Sequence, residues 1–324
     1  MNKHFHAALL LAVCLTSSTF AAIDRPELRD FINEMTARHG FSDTDLTALF
    51  AQANARPDII EAISRPAEAK PWYEYRPIFV NEARVEGGVQ FWNQHAEVLA
   101  RAQNTYGVPP EIITAIIGVE TRYGKITGSY RVLDALATLA FDYPPRADFF
   151  RGELENYLLL TREEQLDPLA LKGSYAGAMG WGQFIPSSYR RYAVDFNDDG
   201  RRDLWNDIDD IIGSVANYFH EHGWQPGKPV AVPAQVNGDR YGELLANGLK
   251  PEFSLQHLKE SGISVSGDAL RDDQLGALLE FETEVGTEYW VGLENFYVIT
   301  RYNRSPLYAM AVYQLSQAIK ESYK

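Results

Sequence analysis

This chain is poor in cysteine and in cations. One cysteine, Cys14, occurs in 324 residues, inside an N-terminal stretch that reads as an export signal, so the mature protein is expected to have neither a disulfide nor a catalytic thiol. Lysine and arginine total 30 against 44 aspartates and glutamates, a net charge of −14. That balance disfavours nucleic acid as a partner and leaves a neutral or mixed-charge polymer easier to accommodate. After the first residues no apolar run resembles a membrane helix. His220 and His222 flank Glu221, but at that spacing they point to different helix faces and make no zinc site.

What is present at the start reads as a signal peptide over residues 1–21. Lys3 gives the positive beginning, Ala7 to Leu15 the apolar centre, and Thr19-Phe20-Ala21 a small-residue cleavage site. The remainder, at 45% hydrophobic and 23% charged for the whole chain, can bury one large core or two to three modest ones. Helix signals dominate residues 22–105: Leu28, Phe31, Ile32 and Met35 repeat at helical spacing before Gly40, and Ser42 caps a second segment bearing Leu46, Leu49 and Phe50.

Glu120 is a carboxylate written into an apolar helix. Pro109 and Pro110 suit a first helical turn, Gly124 supplies the ending, and Glu120 follows Ile116 by four and Ile117 by three, so it projects from the face those residues bury. Burial disfavours the charged form and makes Glu120 a candidate general acid near neutral pH. Taken alone it also reads as a helix-end glutamate paired with Arg122 or Arg131. The stretch from Gly173 to Tyr189 favours the first reading. It has glycines at 173, 177, 180 and 182, too many for a regular helix or strand, among polar Ser174 and Gln183 and aromatic Trp181 and Phe184. Backbone that can approach a ligand closely, with hydrogen-bonding groups and ring surfaces beside it, suits a sugar.

Asp195, Asn197 and Asp199 put oxygen donors at positions one, three and five of a loop with Gly200 at six and the Arg201 carbonyl at seven. This is the opening of a calcium-binding EF-hand loop between helical signals at 187–194 and 209–222, although position twelve holds Asn206 instead of glutamate. An acidic turn without metal is the alternative. From about Pro229 the character changes: Val230, Val232 and Val236 alternate with small residues, and glycine and proline recur through Gly267, suggesting short strands in a small appended domain over 229–285. Helical pattern resumes after Pro306, within a C-terminal segment 286–324.

The runs Gly118 to Gly124, Ser174 to Ser188, and Gly213 to Phe219 with His222-Gly223-Trp224 resemble the lytic murein transglycosylase B family, from about Asp24 to the C-terminus. The resemblance implies a mainly α (α+β) fold with a goose-lysozyme-like helical catalytic core at 106–228, and cleavage of peptidoglycan glycan strands. It places Tyr75, Arg146, Tyr218, Tyr302, Asn303 and Tyr308, besides Ser174, Gln183 and Phe184, against substrate, and packing alone is the alternative for the tyrosines. It also implies a longer metal loop closed by Asp210 or Asp209, with calcium in a structural role. No second carboxylate accompanies Glu120 in these motifs, so a single-acid scheme is expected. Glu120 protonates the bond between N-acetylmuramic acid and N-acetylglucosamine, then accepts the proton of the muramic C6 hydroxyl as it attacks C1, giving a 1,6-anhydro sugar. The rival readings are a hydrolytic muramidase and a non-catalytic, calcium-stabilised wall-binding scaffold. Some relatives carry a lipid on a cysteine after a Leu-Ala-Ala or Leu-Ala-Gly run. Here Val13 precedes Cys14, so a soluble periplasmic monomer is expected over a lipoprotein, with other wall enzymes admitted as partners.

Overall fold

The computed structural model describes residues 25–65, 70–239, 241–265 and 270–323. The signal-peptide expectation and Cys14 lie outside the described residues. Helix α1 (Pro26–His39) buries Leu28, Phe31, Ile32 and Met35 along one stripe and stops at Gly40 with φ 66°. Ser42 caps α2 (Asp43–Phe50) by accepting the Asp45 amide. Then come α3 (Pro57–Ile63), α4 (Trp72–Phe79), α5 (Glu82–Gln94), α6 (Ala96–Tyr106) and α7 (Pro110–Thr121). Strand β1 (Tyr130–Arg131), α8 (Val132–Asp142), a 3₁₀ turn at Pro144–Arg146, α9 (Ala147–Glu163), β2 (Lys172–Gly173), α10 (Pro186–Tyr192) and α11 (Ile208–Glu221) complete the helical body.

The appended region holds β3 (Ala231–Val236), α12 (Gly242–Ala246), β4 (Phe253–Ser254), α13 (Leu255–Glu260), β5 (Ile263–Val265), β6 (Leu275–Thr283) and β7 (Gly286–Gly292). Its strands form one antiparallel sheet in the order β4-β6-β7-β3-β5. Strand periodicity gives the sheet two apolar faces: Leu279 and Phe281 join the core of the helical body, while Leu278 and Val291 pack with Leu255 and Leu258 beneath α13. The chain returns through α14 (Glu294–Tyr302) and α15 (Pro306–Ser322).

Two cores hold the helical body. One gathers α4 to α7 with α11, α14 and α15 around the isoleucines of α7. The other gathers α1 to α3 with α8 to α10 and the glycine-rich stretch, and takes Tyr218 from α11. The described residues between 25 and 105 therefore supply both. Tyr302 packs against both cores at once, so the end of α14 marks the seam between them. The mainly helical fold with a small sheet agrees with the expectation from sequence.

Candidate active site

Helix α7 is buried at Ile112, Ile113, Ile116, Ile117 and Val119, and Glu120 is carried inward on that packing. Its side chain keeps some solvent contact, yet loss of hydration governs its ionisation. Burial raises the carboxyl from 4.5 to about 7, opposed by the hydrogen bond from Tyr308, whose hydroxyl donates to Oε1 at 2.5 Å. Tyr308 is itself buried, at the start of α15 where Ser305 caps the helix. Neighbouring Tyr302 and Tyr308 have phenols held well above their usual range, by burial first and by the Glu120 charge second. Arg131 pairs with Asp134, not with Glu120.

The helix ends differently from the expected glycine stop. Arg122, with φ 51°, is the left-handed cap, and Tyr123 follows at φ 58° before Gly124 at φ 79°. Two non-glycine residues in that region cost about 1–3 kcal/mol each, so packing must impose the turn. Gly124 serves another purpose: a Cβ there would lie 2.2 Å from the Trp181 ring. The Thr121 hydroxyl completes the joint, lying 3.0 Å from the Trp181 carbonyl and accepting the Gly124 amide at 3.1 Å. The end of α7 and the glycine-rich stretch are thus locked together around the indole.

In that stretch β2 pairs with β1, and isolated bridges join Gly173 to Met179 and Met179 to Phe184. Ser174 Oγ accepts the amides of Ala176 (3.2 Å) and Ala178 (3.0 Å), so the remaining capacity of this partly exposed hydroxyl is to donate. Gln183, at φ 52°, spends its side-chain NH₂ on the carbonyls of Thr127 (3.1 Å) and Gly180 (2.8 Å). Phe184 is buried, with its ring against Tyr218 (5.6 Å between centroids) and Tyr302 (5.9 Å). Tyr218 donates to the Arg301 carbonyl and Tyr302 to the Gly182 carbonyl, each at 2.6 Å. Asn303 accepts the Ser305 amide at 3.1 Å and so fixes the start of α15. Tyr75 is buried beside Trp72 and Phe79 and within electrostatic reach of Tyr308. Arg146 stands apart, exposed, with its guanidinium 4.2 Å from the Phe149 ring centroid.

The acidic loop folds as its spacing requires, between α10 and α11. Asp195 accepts the amides of Asp199 and Gly200, Asn197 accepts that of Asp199, and Asp199 that of Arg201; Gly200 takes φ 88°. The two candidate closing residues separate cleanly. Asp209 is ion-paired with Arg101, whereas Asp210 is buried under the loop and accepts the amides of Phe196 (2.7 Å) and Asp203 (2.8 Å). Among the described residues no three His, Cys, Asp or Glu side chains are grouped to hold a metal, and the carboxylates of Asp195, Asp199 and Asp210 accept loop amides. The donor set is nevertheless all hard oxygen, and a carboxylate that accepts amides retains lone pairs for a cation, so the residues fit calcium.

Sequence patterns did not reveal Thr121, Tyr123 or Arg84. Arg84 is buried on α5 and donates to the carbonyls of Gly118 and Val119; its partners are 34 and 35 residues away, outside any local periodicity.

An acid poised near neutrality beneath a polar, glycine-lined stretch defines a glycan-cleaving enzyme of lysozyme-like architecture. The family described as the transglycosylase SLT domain matches residues 24–317, and the chain belongs to that family. It is 49% identical over 306 residues, 91% of this chain and 83% of the relative, to the membrane-bound lytic murein transglycosylase B of Escherichia coli K12. The crystal structure of soluble lytic transglycosylase SltB1 from Pseudomonas aeruginosa is 56% identical, with a TM-score of 0.87 over 92% of this chain and 99% of that one. That of Escherichia coli Slt35 in complex with calcium is 48% identical, with a TM-score of 0.86 over 93% of this chain and 95% of that one. The expected fold and lytic transglycosylase class are borne out. No helix among the described residues is long and apolar enough to cross a membrane.

Proposed function

We propose that this enzyme cleaves the β-1,4 bond between N-acetylmuramic acid and N-acetylglucosamine in peptidoglycan with Glu120 as its single acid and base. The observation that carries the reading is the state of Glu120: a carboxyl near pH 7 whose ionisation is set by burial and one phenol. No second carboxylate accompanies Glu120 in the sequence motifs, and a single-acid scheme therefore replaces the two-carboxylate scheme of most glycosidases in this reading. Protonated Glu120 delivers its proton to the leaving oxygen. As carboxylate it then takes the proton of the muramic C6 hydroxyl while that oxygen closes on C1, and a 1,6-anhydro end forms without water. A positioned internal hydroxyl competes strongly with solvent. Ser174, with donation as its remaining capacity, is assigned to the substrate N-acetyl group, whose carbonyl faces the charge developing at C1. Tyr75, Gln183, Asn303 and Arg146 are assigned to the glycan groove and Tyr218, Tyr302 and Tyr308 to its aromatic wall, with Phe184 packed behind Tyr218 and Tyr302. Mass spectrometry of muropeptides released from purified sacculi tests the reaction: anhydro ends are expected, and a majority of reducing muramic acid would make the enzyme a hydrolase.

We assign Asp195, Asn197, Asp199 and the Arg201 carbonyl, with Asp210 closing from α11, to one structural calcium ion. Support comes from the donor spacing, the oxygen-only donor set and the calcium complex of the Slt35 relative. The ion would pin the connection between α10 and α11, and the chemistry above makes no use of it. We place the mature enzyme in the periplasm as a soluble monomer.

A further inference from the structure

Arg84 is a buried cation with no acidic partner among the described residues. Its guanidinium lies 5.6 Å from the Phe79 ring centroid and donates to the carbonyls of Gly118 and Val119. These belong to the last turn of α7, where the Gly118 carbonyl also accepts the Arg122 amide at 3.1 Å and the helix end is partly negative. The helix terminus is therefore its counter-charge. A second bond runs the other way: the Tyr123 hydroxyl donates to the backbone carbonyl of Arg84 at 2.6 Å. One side chain reaches from α5 to the backbone just before Glu120, and another returns from just after Glu120 to the backbone of α5.

The Tyr123 ring occupies a slot walled by absent side chains. A Cβ on Gly87 would lie 2.7 Å from its Cε2, one on Gly88 2.8 Å from its hydroxyl, and one on Gly118 2.5 Å from the same oxygen. Two of these glycines sit inside α5 and one inside α7, positions where glycine weakens a helix. The room they leave is what allows Tyr123 to keep φ 58° directly after Arg122 at φ 51°.

We propose that Arg84 and Tyr123 form a clasp that positions Glu120, fixing the three-residue backbone arc on which the acid is mounted. Neither touches substrate; both are positioning residues, and the inference rests on Glu120 being the acid and base. Misplacing a catalytic group by about 1 Å costs on the order of a hundredfold in rate, so loosening this arc acts on turnover and not on glycan binding.

The test compares Tyr123→Phe, Arg84→Lys and Gly87→Ala with wild type and Glu120→Gln on solubilised glycan strands. Tyr123→Phe removes one hydroxyl and keeps the ring. It is expected to lower kcat by about tenfold, the equivalent of one hydrogen bond, with KM within about twofold and with a displaced pH dependence of kcat. Arg84→Lys retains the charge but not the planar fork, and should show the same kcat-only loss. Gly87→Ala pushes on the ring without altering either hydrogen-bonding group; should it fail to fold, Tyr123→Phe alone still decides. Wild-type kcat and pH profile in folded Tyr123→Phe and Arg84→Lys would overturn the clasp, as would losses that follow only the fraction of folded protein. An active Glu120→Gln would instead remove the catalytic reading beneath it.

Discussion

Glu120 and Asp210 are two buried carboxylic acids at opposite ends of helices. Glu120 lies next to the C-terminal residue of α7, where the helix end disfavours negative charge. Asp210 lies in the first turn of α11, where the helix end favours it. Burial is the largest influence on both, raising Glu120 to about 7 and Asp210 to about 6. Their partners differ in kind. Glu120 receives one phenol, itself hard to ionise, and Asp210 receives two backbone amides while Asp207 and Asp195 crowd it with like charge. The first arrangement leaves an acid free to exchange a proton. The second gathers surplus negative charge at the site assigned above to calcium.

Glu120→Gln separates the two roles most sharply. Without a transferable proton, turnover should fall by about 10²–10⁴-fold, with folding retained by circular dichroism; comparable turnover would leave the two acids functionally alike. The same variant should be more stable than wild type at alkaline pH. A carboxyl whose folded value is raised from 4.5 to about 7 contributes stability fully present below 4.5 and lost as pH rises through 7. By linkage the relief amounts to about 3 kcal/mol at pH 8 and vanishes near pH 4. Melting curves at the two pH values check the sign.

A smaller effect is expected from Tyr308→Phe. The phenol lowers the Glu120 value, so its removal should raise that value further above about 7, keep the acid protonated to higher pH and move the alkaline limb of the rate profile upward. Turnover at pH 7 should drop by about tenfold for one lost hydrogen bond. An unmoved alkaline limb would mean that Tyr308 packs without tuning the acid.

The smallest effect should come from the loop. Calcium at a hundred times its Kd stabilises by about 2.7 kcal/mol, a melting shift of several degrees that Asp195→Ala should abolish, while chelated enzyme keeps its turnover at low temperature. Superimposable curves with calcium and chelator would reduce the loop to an acidic turn, and loss of activity in folded, chelated enzyme would erase the division of labour between the two acids.

Features that depend on short range were legible in the sequence. The spacing of Leu28, Phe31, Ile32 and Met35, the Gly40 stop, the Ser42 cap and the loop from Asp195 to Gly200 all follow from periodicity or turn chemistry, and all recur in the structure. The inward projection of Glu120 was legible for the same reason. What closes the site was not. Gly124 looks like a helix stop, yet its lack of a side chain makes room for Trp181, 57 positions later by numbering, and the actual left-handed cap is an arginine. The Thr121, Tyr123 and Arg84 contacts join separate segments, and no window along the chain contains both partners. Phe184 reads as a ring surface for sugar, but tertiary packing gives that surface to Tyr218 and Tyr302.

Asn295 is buried at the start of α14, where its side chain accepts the Gln225 amide and donates to the carbonyls of Gln225 and Lys228, all within 3.0 Å. Beside it the Leu293 amide bonds the Val230 carbonyl at 3.0 Å. Considered as a path, the five-stranded segment is a detour whose exit and re-entry coincide and are stapled together by one amide group. Closure of that loop is maintained by the helical body itself, so added length in the connections of the detour carries only a slowly growing entropic cost. Its connecting loops can vary in length, while the staple at Asn295 and the Leu279 and Phe281 contacts with the helical body cannot.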